Sequence, residues 1–357
     1  MHTDVIVLDS AQRLFQDVAS IQSVLAARDE GWKQLLWSGI EQTGLNIAAL
    51  PEHLDGAGMG LGAALGILRI AGNAALSTPL AETMLSGWML GAAGLTMPQG
   101  KIAFGPSTFF DQVEVKDGAV TARLERLPFG RDCSHAVLLA NTAVGLSVVL
   151  VSLGARSIKL EENLAYEPVD RVILSECPAL AIAPAPAGFT YDTTLLVGSA
   201  ARAMQIAGAL EKMLAITIEY VTQRRAFERT ISKFQVVQHS IAQLAGEVAI
   251  SLSAAASAAD AVESLLGQKR GFDDPELRLE IIGAKIRTAS AAQKSAAIAH
   301  QLHGALGVTR EHILHRLSLR VLAWRDDYGN ESEWAEKLGQ LVSSEGAHSL
   351  WPLLAAR

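Results

Sequence analysis

The feature that most constrains this chain is a change of hydrophobic period partway along it. From residue 101 to about 187 the sequence breaks into short β-rich runs: KIAFGPS, QVEVKDG, AVTARLERL, HAVLLANT, GLSVVLVSL and VDRVILSE. Gly, Pro, Asp and Asn punctuate them, and no helical pattern intervenes. Asp117-Gly118, between VEVK and AVTARL, is a strong hairpin signal. Strands without crossover helices cannot build a parallel α/β sheet, so the expectation is a small antiparallel sheet or barrel. The stretch ECPALAIAPAPAG, with Pro178, Pro184 and Pro186, reads as a linker closing this region.

On both sides the period is helical. Before the strands lie Ala11 to Ala27, Trp32 to Gly44, Ala63 to Ala75 and Pro79 to Leu95. After them come Leu195 to Val221, Val236 to Leu266, Asp274 to Leu302 and Arg310 to Ala323, then an amphipathic tail, WRDDYGNESEWAEKLGQL. Asp273 and Asp274 followed by Pro275 make a capped helix start. Long helices joined by short turns read as an antiparallel four-helix bundle. The predicted organisation is mainly α with a β middle: a helical domain (1–98), a β domain (99–187) and a bundle domain (188–357). Half of the 357 residues are hydrophobic and only 5% are aromatic, the composition of closely packed helices.

A net charge of −7 and a pI near 5.7 argue against a nucleic-acid partner, which demands clustered Lys and Arg. Cys133 and Cys177 show no metal or redox spacing and read as reduced thiols in a cytoplasmic protein. The opening MHTDVIVLDS lacks the pattern of a secretory signal. No segment reads as a clean membrane span, and the apolar run from Leu195 to Val221 is interrupted by Arg202, Glu211, Lys212 and Glu219.

In an acidic chain, an anionic ligand has to be met by a local basic site. The best candidate is Tyr220 to Gln238, YVTQRRAFERTISKFQVVQ, between two apolar helices. Cations ending a helix complement its dipole, which is the plainer reading. The sharper one is a phosphate dock: Arg224 offers a planar fork, Phe227 a flat apolar face, and Gln235 both donors and an acceptor. QLHGALG, residues 301–307, reads as a helix C-cap whose small residues also let a cofactor approach the backbone. Gly58-x-Gly60-x-x-Ala63 matches a dinucleotide fingerprint only on paper, because Pro51 breaks the run before it and no second strand follows. His300 with His303, and His312 with His315, have ligand-like spacing, but Glu311 is the one carboxylate close by, and no metal site is expected.

Arg224, Phe227, Phe234, Gln235, Gln238 and His239 stand in the pattern R-x-x-F, a short turn, then F-Q-x-x-Q-H. With QLHGALG, which is similar to a Q-x-x-G-G-x-G turn, and with AALPEHLDGAGMGLG, this resembles the acyl-CoA dehydrogenase family over nearly the whole chain. The resemblance implies a helical, β, helical-bundle fold, FAD as cofactor, and α,β-dehydrogenation of an acyl-CoA thioester. It further implies a homo-oligomer, or a hetero-oligomer with a second such chain, in which these stretches hold the ADP half of the neighbour's FAD. On it, Arg224, Phe227, Gln235, Gln301, Gly304 and Ala305 carry over as cofactor contacts.

Departures from the family pattern are equally specific. Glu228 and Ala305 replace glycines. The stretch that in the family resembles T-E-P-x-A-G-S reads FGPSTFFD here, and no W-I-T-N strand follows; Ser107, Thr108 and Arg131 are the nearest polar substitutes. The family's base is a Glu in one of two places, which align with Tyr328 and Gly198, so Asp327 is the remaining candidate for the catalytic base. Two functions follow from the resemblance: a working FAD-dependent dehydrogenase, or a silent subunit that completes a partner's flavin site for bulky or sterol-derived acyl groups. A purely structural helical protein is the third reading.

Overall fold

The computed structural model describes residues 2–20, 31–154, 156–346, 348 and 351–352. Four helices open the chain: α1 (His2–Val18), α2 (Gly31–Gln42), α3 (Leu61–Asn73) and α4 (Leu80–Ala92). The first starts nine residues earlier than its apolar spacing predicts, and the predicted continuation over 21–27 lies outside the described residues. Strands β1 (Ile102–Gly105), β2 (Gln112–Lys116), β3 (Ala119–Pro128), β4 (His135–Thr142), β5 (Gly145–Ser152), β6 (Arg156–Lys159) and β7 (Val169–Pro184) form the middle. Helices α5 (Thr193–Gln223), α6 (Gln235–Gly267), α7 (Pro275–His303) and α8 (Leu314–Trp324) make the bundle, and α9 (Glu331–Glu345) follows. The helical, β, helical order is that of the acyl-CoA dehydrogenase-like fold.

The β region closes on itself through the pairings β4–β2, β2–β3, β3–β7, β7–β5 and β5–β4, with β1 alongside β4. It is a mixed sheet, because β1 and β2 both run parallel to β4. Asp117 and Gly118 form the β2–β3 turn with φ of 51° and 77°, the left-handed pair that a two-residue hairpin needs. The predicted linker at Pro178 is instead the second half of β7. The strand bends there and changes partner: Pro178 faces Ala119 at the end of β3, and Ala179 to Pro184 pair with β5. Proline is tolerated because both prolines fall at ladder ends, where a missing N–H costs little. β6 was not among the predicted strands; it is four residues long and half-exposed.

Glycines let the N-terminal helices dock on the bundle. A Cβ at Gly72 would lie 2.0 Å from the Gln205 carbonyl, and one at Gly208 would lie 1.9 Å from that of Arg69, so α3 and α5 meet backbone to backbone. The Gly58–Ala63 turn serves the same end. A Cβ at Gly60 would strike the Glu263 carboxylate, which also accepts from the Ala63 N–H at 3.3 Å. That backbone is taken by a side chain of α6, which accounts for the glycines without a dinucleotide. Helix α6 is long and apolar enough to cross a membrane; here it packs against α5 and α7 in the bundle.

Candidate functional site

Arg224 ends α5, and its backbone is held at both sides: its N–H donates to Tyr220 O and its carbonyl accepts from Ile231 N, each at 2.8 Å. The next residues make a tiny hairpin, β8 (Arg225–Ala226) and β9 (Arg229–Thr230), turned by Phe227 and Glu228 at φ of 52° and 66°. The family glycine after the Phe thus has a conformational reason, and Glu228 occupies that left-handed position at a steric cost. Phe227 is 87% exposed, with its edge against Phe234 at 6.2 Å, while the Arg229 guanidinium covers the Phe234 ring at 4.1 Å. Gln238 closes the turn by donating to Ser232 O at 3.0 Å. Gln235, the first residue of α6, is exposed.

Gln301, Gly304 and Ala305 are exposed at the far end of α7. Gly304 has φ 61°, and a Cβ there would meet open space. The two stretches are brought to the same end of the bundle by His303, whose ring stacks on Tyr220 at 4.5 Å and leans on His312 at 4.8 Å. His303 Nδ1 donates to Ala299 O, and burial lowers the pKa of the ring. Among the described residues there is no cluster of three His, Cys, Asp or Glu groups placed to hold a metal.

Asp327 lies in a different place. Roughly 30 Å of helix, at 1.5 Å per residue, separates Arg202 from Arg224, and Asp327 is bound to Arg202. Although Asp326, Gly329 and Asn330 stand around it in the sequence, Asp327 is 5% exposed. Arg202 Nε donates to Asp327 Oδ2 at 3.0 Å, Nη2 to Glu82 Oε1 at 2.6 Å and Nη1 to Gln205 Oε1 at 2.6 Å. Desolvation opposes the Arg202 charge, yet Glu82 and Asp327 overrule it and the guanidinium stays cationic. Burial pushes the Glu82 carboxyl above its usual range, only partly offset by Arg202. Lys285, fully buried, donates to Trp324 O at 3.0 Å and Asp327 O at 2.6 Å, and burial pushes it down to about 7. This network was not foreseen; its one signal was an arginine inside an apolar helix, and its partners are 120 and 125 residues away.

Tyr328 and Gly198, the two positions aligned with the family's alternative bases, meet in space. A Cβ on Gly198 would lie 2.3 Å from the Tyr328 ring, so the ring occupies the volume that any side chain at 198 would take. Tyr328 has φ 57°, and its carbonyl accepts from Ser199 Oγ at 3.0 Å and Trp334 Nε1 at 2.9 Å. Its hydroxyl is buried without a hydrogen-bond partner, and burial pushes its pKa well up.

The loop that replaces T-E-P-x-A-G-S is also spoken for. The buried Asp111 carboxylate accepts from Ser107 N (2.7 Å), Thr108 N (3.1 Å), Thr108 Oγ1 (2.7 Å), Ser107 Oγ (3.2 Å) and Glu125 N (2.8 Å). Phe109 fills the neighbouring space, edge-on to Trp334 at 5.1 Å. Arg131 is pinned to Asp170 at 2.6 Å and to Glu161 O at 2.6 Å. The three polar substitutes therefore have internal partners. FAD consequently fits this chain in one half only. The bundle end presents the Arg224 guanidinium, without a side-chain partner among the described residues, a bare aromatic face and open backbone, whereas the loop that would meet the flavin ring has its donors bound to Asp111.

A family model for the acyl-CoA dehydrogenase C-terminal domain matches residues 187–326. The acyl-CoA dehydrogenase IpdE2 of Mycobacterium tuberculosis is 26% identical over 303 residues, 83% of each chain. FadE28 of the same organism is 26% identical over 357 residues, covering 92% of this chain and 97% of that one. Among solved structures, a steroid ACAD variant, Tcur3481-Tcur3483, superposes with a TM-score of 0.82 at 22% identity, covering 96% and 98% of the two chains. The ChsE4-ChsE5 complex from Mycobacterium tuberculosis gives 0.79 at 18%, covering 95% and 97%. With the R-x-x-F hairpin, the bundle-end turn and the three-part fold in place, residues 187–326 match the C-terminal domain of the acyl-CoA dehydrogenase family, and the chain is similar to acyl-CoA dehydrogenases over most of its length.

Proposed function

We propose that this chain is the flavin-site-completing subunit of a two-chain acyl-CoA dehydrogenase and performs no dehydrogenation alone. One observation carries the reading: the Tyr328 ring packs over Gly198, so the point where the family's two alternative carboxylates converge holds a phenol and no space. A buried tyrosine whose pKa is raised cannot take a proton alpha to a thioester at neutral pH. Asp327 does not replace it, since its carboxylate is engaged by Arg202 inside the bundle.

The partner supplies the base and the ring half of the flavin site. FAD, when bound there, accepts the hydride from the substrate's β-carbon. This chain contributes the ADP half: Arg224 to the pyrophosphate, Phe227 as an apolar wall, and Gln235, Gln301 and the backbone at Gly304 and Ala305 to phosphate and ribose oxygens. A structural neighbour solved as the ChsE4-ChsE5 complex supports a hetero-oligomer. The steroid ACAD neighbour favours a bulky, ring-bearing acyl group, and the proposed location is the cytoplasm.

The test is reconstitution. The chain alone should turn over no acyl-CoA with an artificial acceptor, and a base-bearing partner should restore turnover. Arg224→Ala in this chain should then weaken FAD retention about tenfold to a hundredfold, the loss of one charge-assisted hydrogen bond. Robust turnover by the chain alone, abolished by Asp327→Asn with the fold kept, would overturn the proposal.

A further inference from the structure

A second basic site lies away from Arg224 and is not used by the proposed function. A cleft of about 520 Å³ is formed where six stretches converge: α2, the loop before α4, the loop before β7, the end of α7, the loop after it and α8. Its walls carry Lys33, Arg310, Arg316, Arg320, His300 and His315, and among the described residues no Asp or Glu lines it. In a chain of net charge −7, such a concentration of one sign raises the local concentration of anions.

The cations differ in how they are held. Arg320 is anchored at the back by Glu167 at 3.0 Å, which also accepts from Trp324 Nε1 at 2.8 Å. The Arg316 guanidinium sits 5.9 Å from the centre of the Trp32 ring. Arg310 is exposed and makes no ion pair or hydrogen bond among the described residues. The field is felt nearby: burial first, then Arg316, Arg320 and Arg310, hold the His315 pKa below its ordinary value.

An aromatic ring lines the same cleft. Tyr166 is 73% exposed, a large apolar surface left in water. Its loop is braced rather than loose: Asn163 Oδ1 accepts from Ala165 N at 2.8 Å and Glu167 N at 3.1 Å, and Tyr166 N donates to Asn163 O at 3.0 Å. Tyr166 has φ 60°, so the backbone presents the ring from a left-handed corner. A fixed aromatic face beside a cluster of arginines suits a flat base joined to phosphates. The volume lies within the ordinary range for small-molecule sites.

We propose that this cleft binds an ADP unit, with its phosphates between Arg310, Arg316 and Lys33 and its base on Tyr166. Free nucleotide and coenzyme A both present that unit, and the experiment separates them. Purified protein, together with its partner if it has one, is titrated calorimetrically with ADP, inorganic pyrophosphate and coenzyme A. ADP should bind, and its affinity should fall as salt rises. Arg310→Glu should weaken ADP at least about tenfold, the loss of a charge-assisted contact. Tyr166→Ala should weaken ADP severalfold and leave pyrophosphate unchanged. Arg224→Ala removes whatever ADP binds at the bundle-end patch and should leave the Arg310-dependent binding in place, which keeps the two sites distinct. Coenzyme A binding as tightly as ADP and equally sensitive to Arg310→Glu names coenzyme A as the natural source; ADP binding much the tighter names free nucleotide. No ADP binding at millimolar concentration, or ADP binding lost in Arg224→Ala and kept in Arg310→Glu, overturns the proposal. Pyrophosphate matching ADP, with Tyr166→Ala silent, overturns the role given to the ring.

Discussion

Asp327→Asn separates a structural carboxylate from a catalytic one. The Arg202 side chain is 2% exposed and faces Asp327 at 3.0 Å and Glu82 at 2.6 Å, whose side chains are 3% and 0% exposed. Removing one partner of a buried ion pair costs about 3–5 kcal/mol when the other charge is stranded. Here the loss is softened twice. Asparagine keeps an oxygen able to accept from Arg202 Nε, and Glu82 remains as a counterion. Asp327 is also one of the charges raising the Glu82 pKa, so its removal makes Glu82 a better anion. The expected cost is that of a charge-assisted hydrogen bond, roughly 1.5–3 kcal/mol. At about 2 °C per kcal/mol for a large chain, the unfolding midpoint should fall by roughly 3–6 °C. Thermal melting followed by circular dichroism reads that shift, and turnover of the reconstituted enzyme is measured on the folded fraction. The structural role predicts a lower midpoint with turnover per folded enzyme within about twofold of wild type. An unchanged midpoint with turnover lost by about 10²–10⁴ would refute the reasoning and return the base to Asp327.

Lys285 has its pKa pushed down to about 7 from 10.5 by burial, so between those values the unfolded chain binds the extra proton. Its contribution is therefore most favourable above pH 10.5 and is lost as pH falls toward 7, at up to about 1.4 kcal/mol per pH unit; urea titrations should find that slope flattened in Lys285→Met. Gly198→Ala drives a methyl into the Tyr328 ring and should cost about 1–3 kcal/mol by overpacking, a penalty that a Tyr328→Ala background relieves; simple additivity in the double mutant would contradict the packing. Glu228→Gly puts the permissive residue at φ 66° and removes a carboxylate from the turn of the hairpin that follows Arg224; flavin affinity of the two-chain enzyme should rise, and a fall would argue against the ADP half-site.

What the sequence determined by itself was whatever local chemistry encodes. The three-part order follows from hydrophobic period, the β2–β3 hairpin from Asp117-Gly118, and the start of α7 from Asp274 and Pro275, whose carboxylate does cap Glu276 and Leu277. The turn after Arg224 and the QLHGALG turn were legible because each is contiguous, so Arg224, Phe227, Gln235, Gln301, Gly304 and Ala305 could be named as candidate cofactor contacts, a role that remains a proposal. Tertiary structure decided everything that depends on residues far apart in the chain. Pro178 looked like a break because a lone proline disfavours a strand, yet the end of the β3 ladder leaves its missing N–H unneeded. Asp327 has polar neighbours in the sequence, and its pairing with Arg202, 125 residues away, exists only in the folded bundle. Gly198 and Tyr328 were each readable as a missing carboxylate, but that one ring fills the other's space is a fact of helix packing. The cleft beneath Tyr166 gathers cations from α2 and α8, far apart in the chain, because burial of apolar faces, which carries no address along the sequence, brings those elements together.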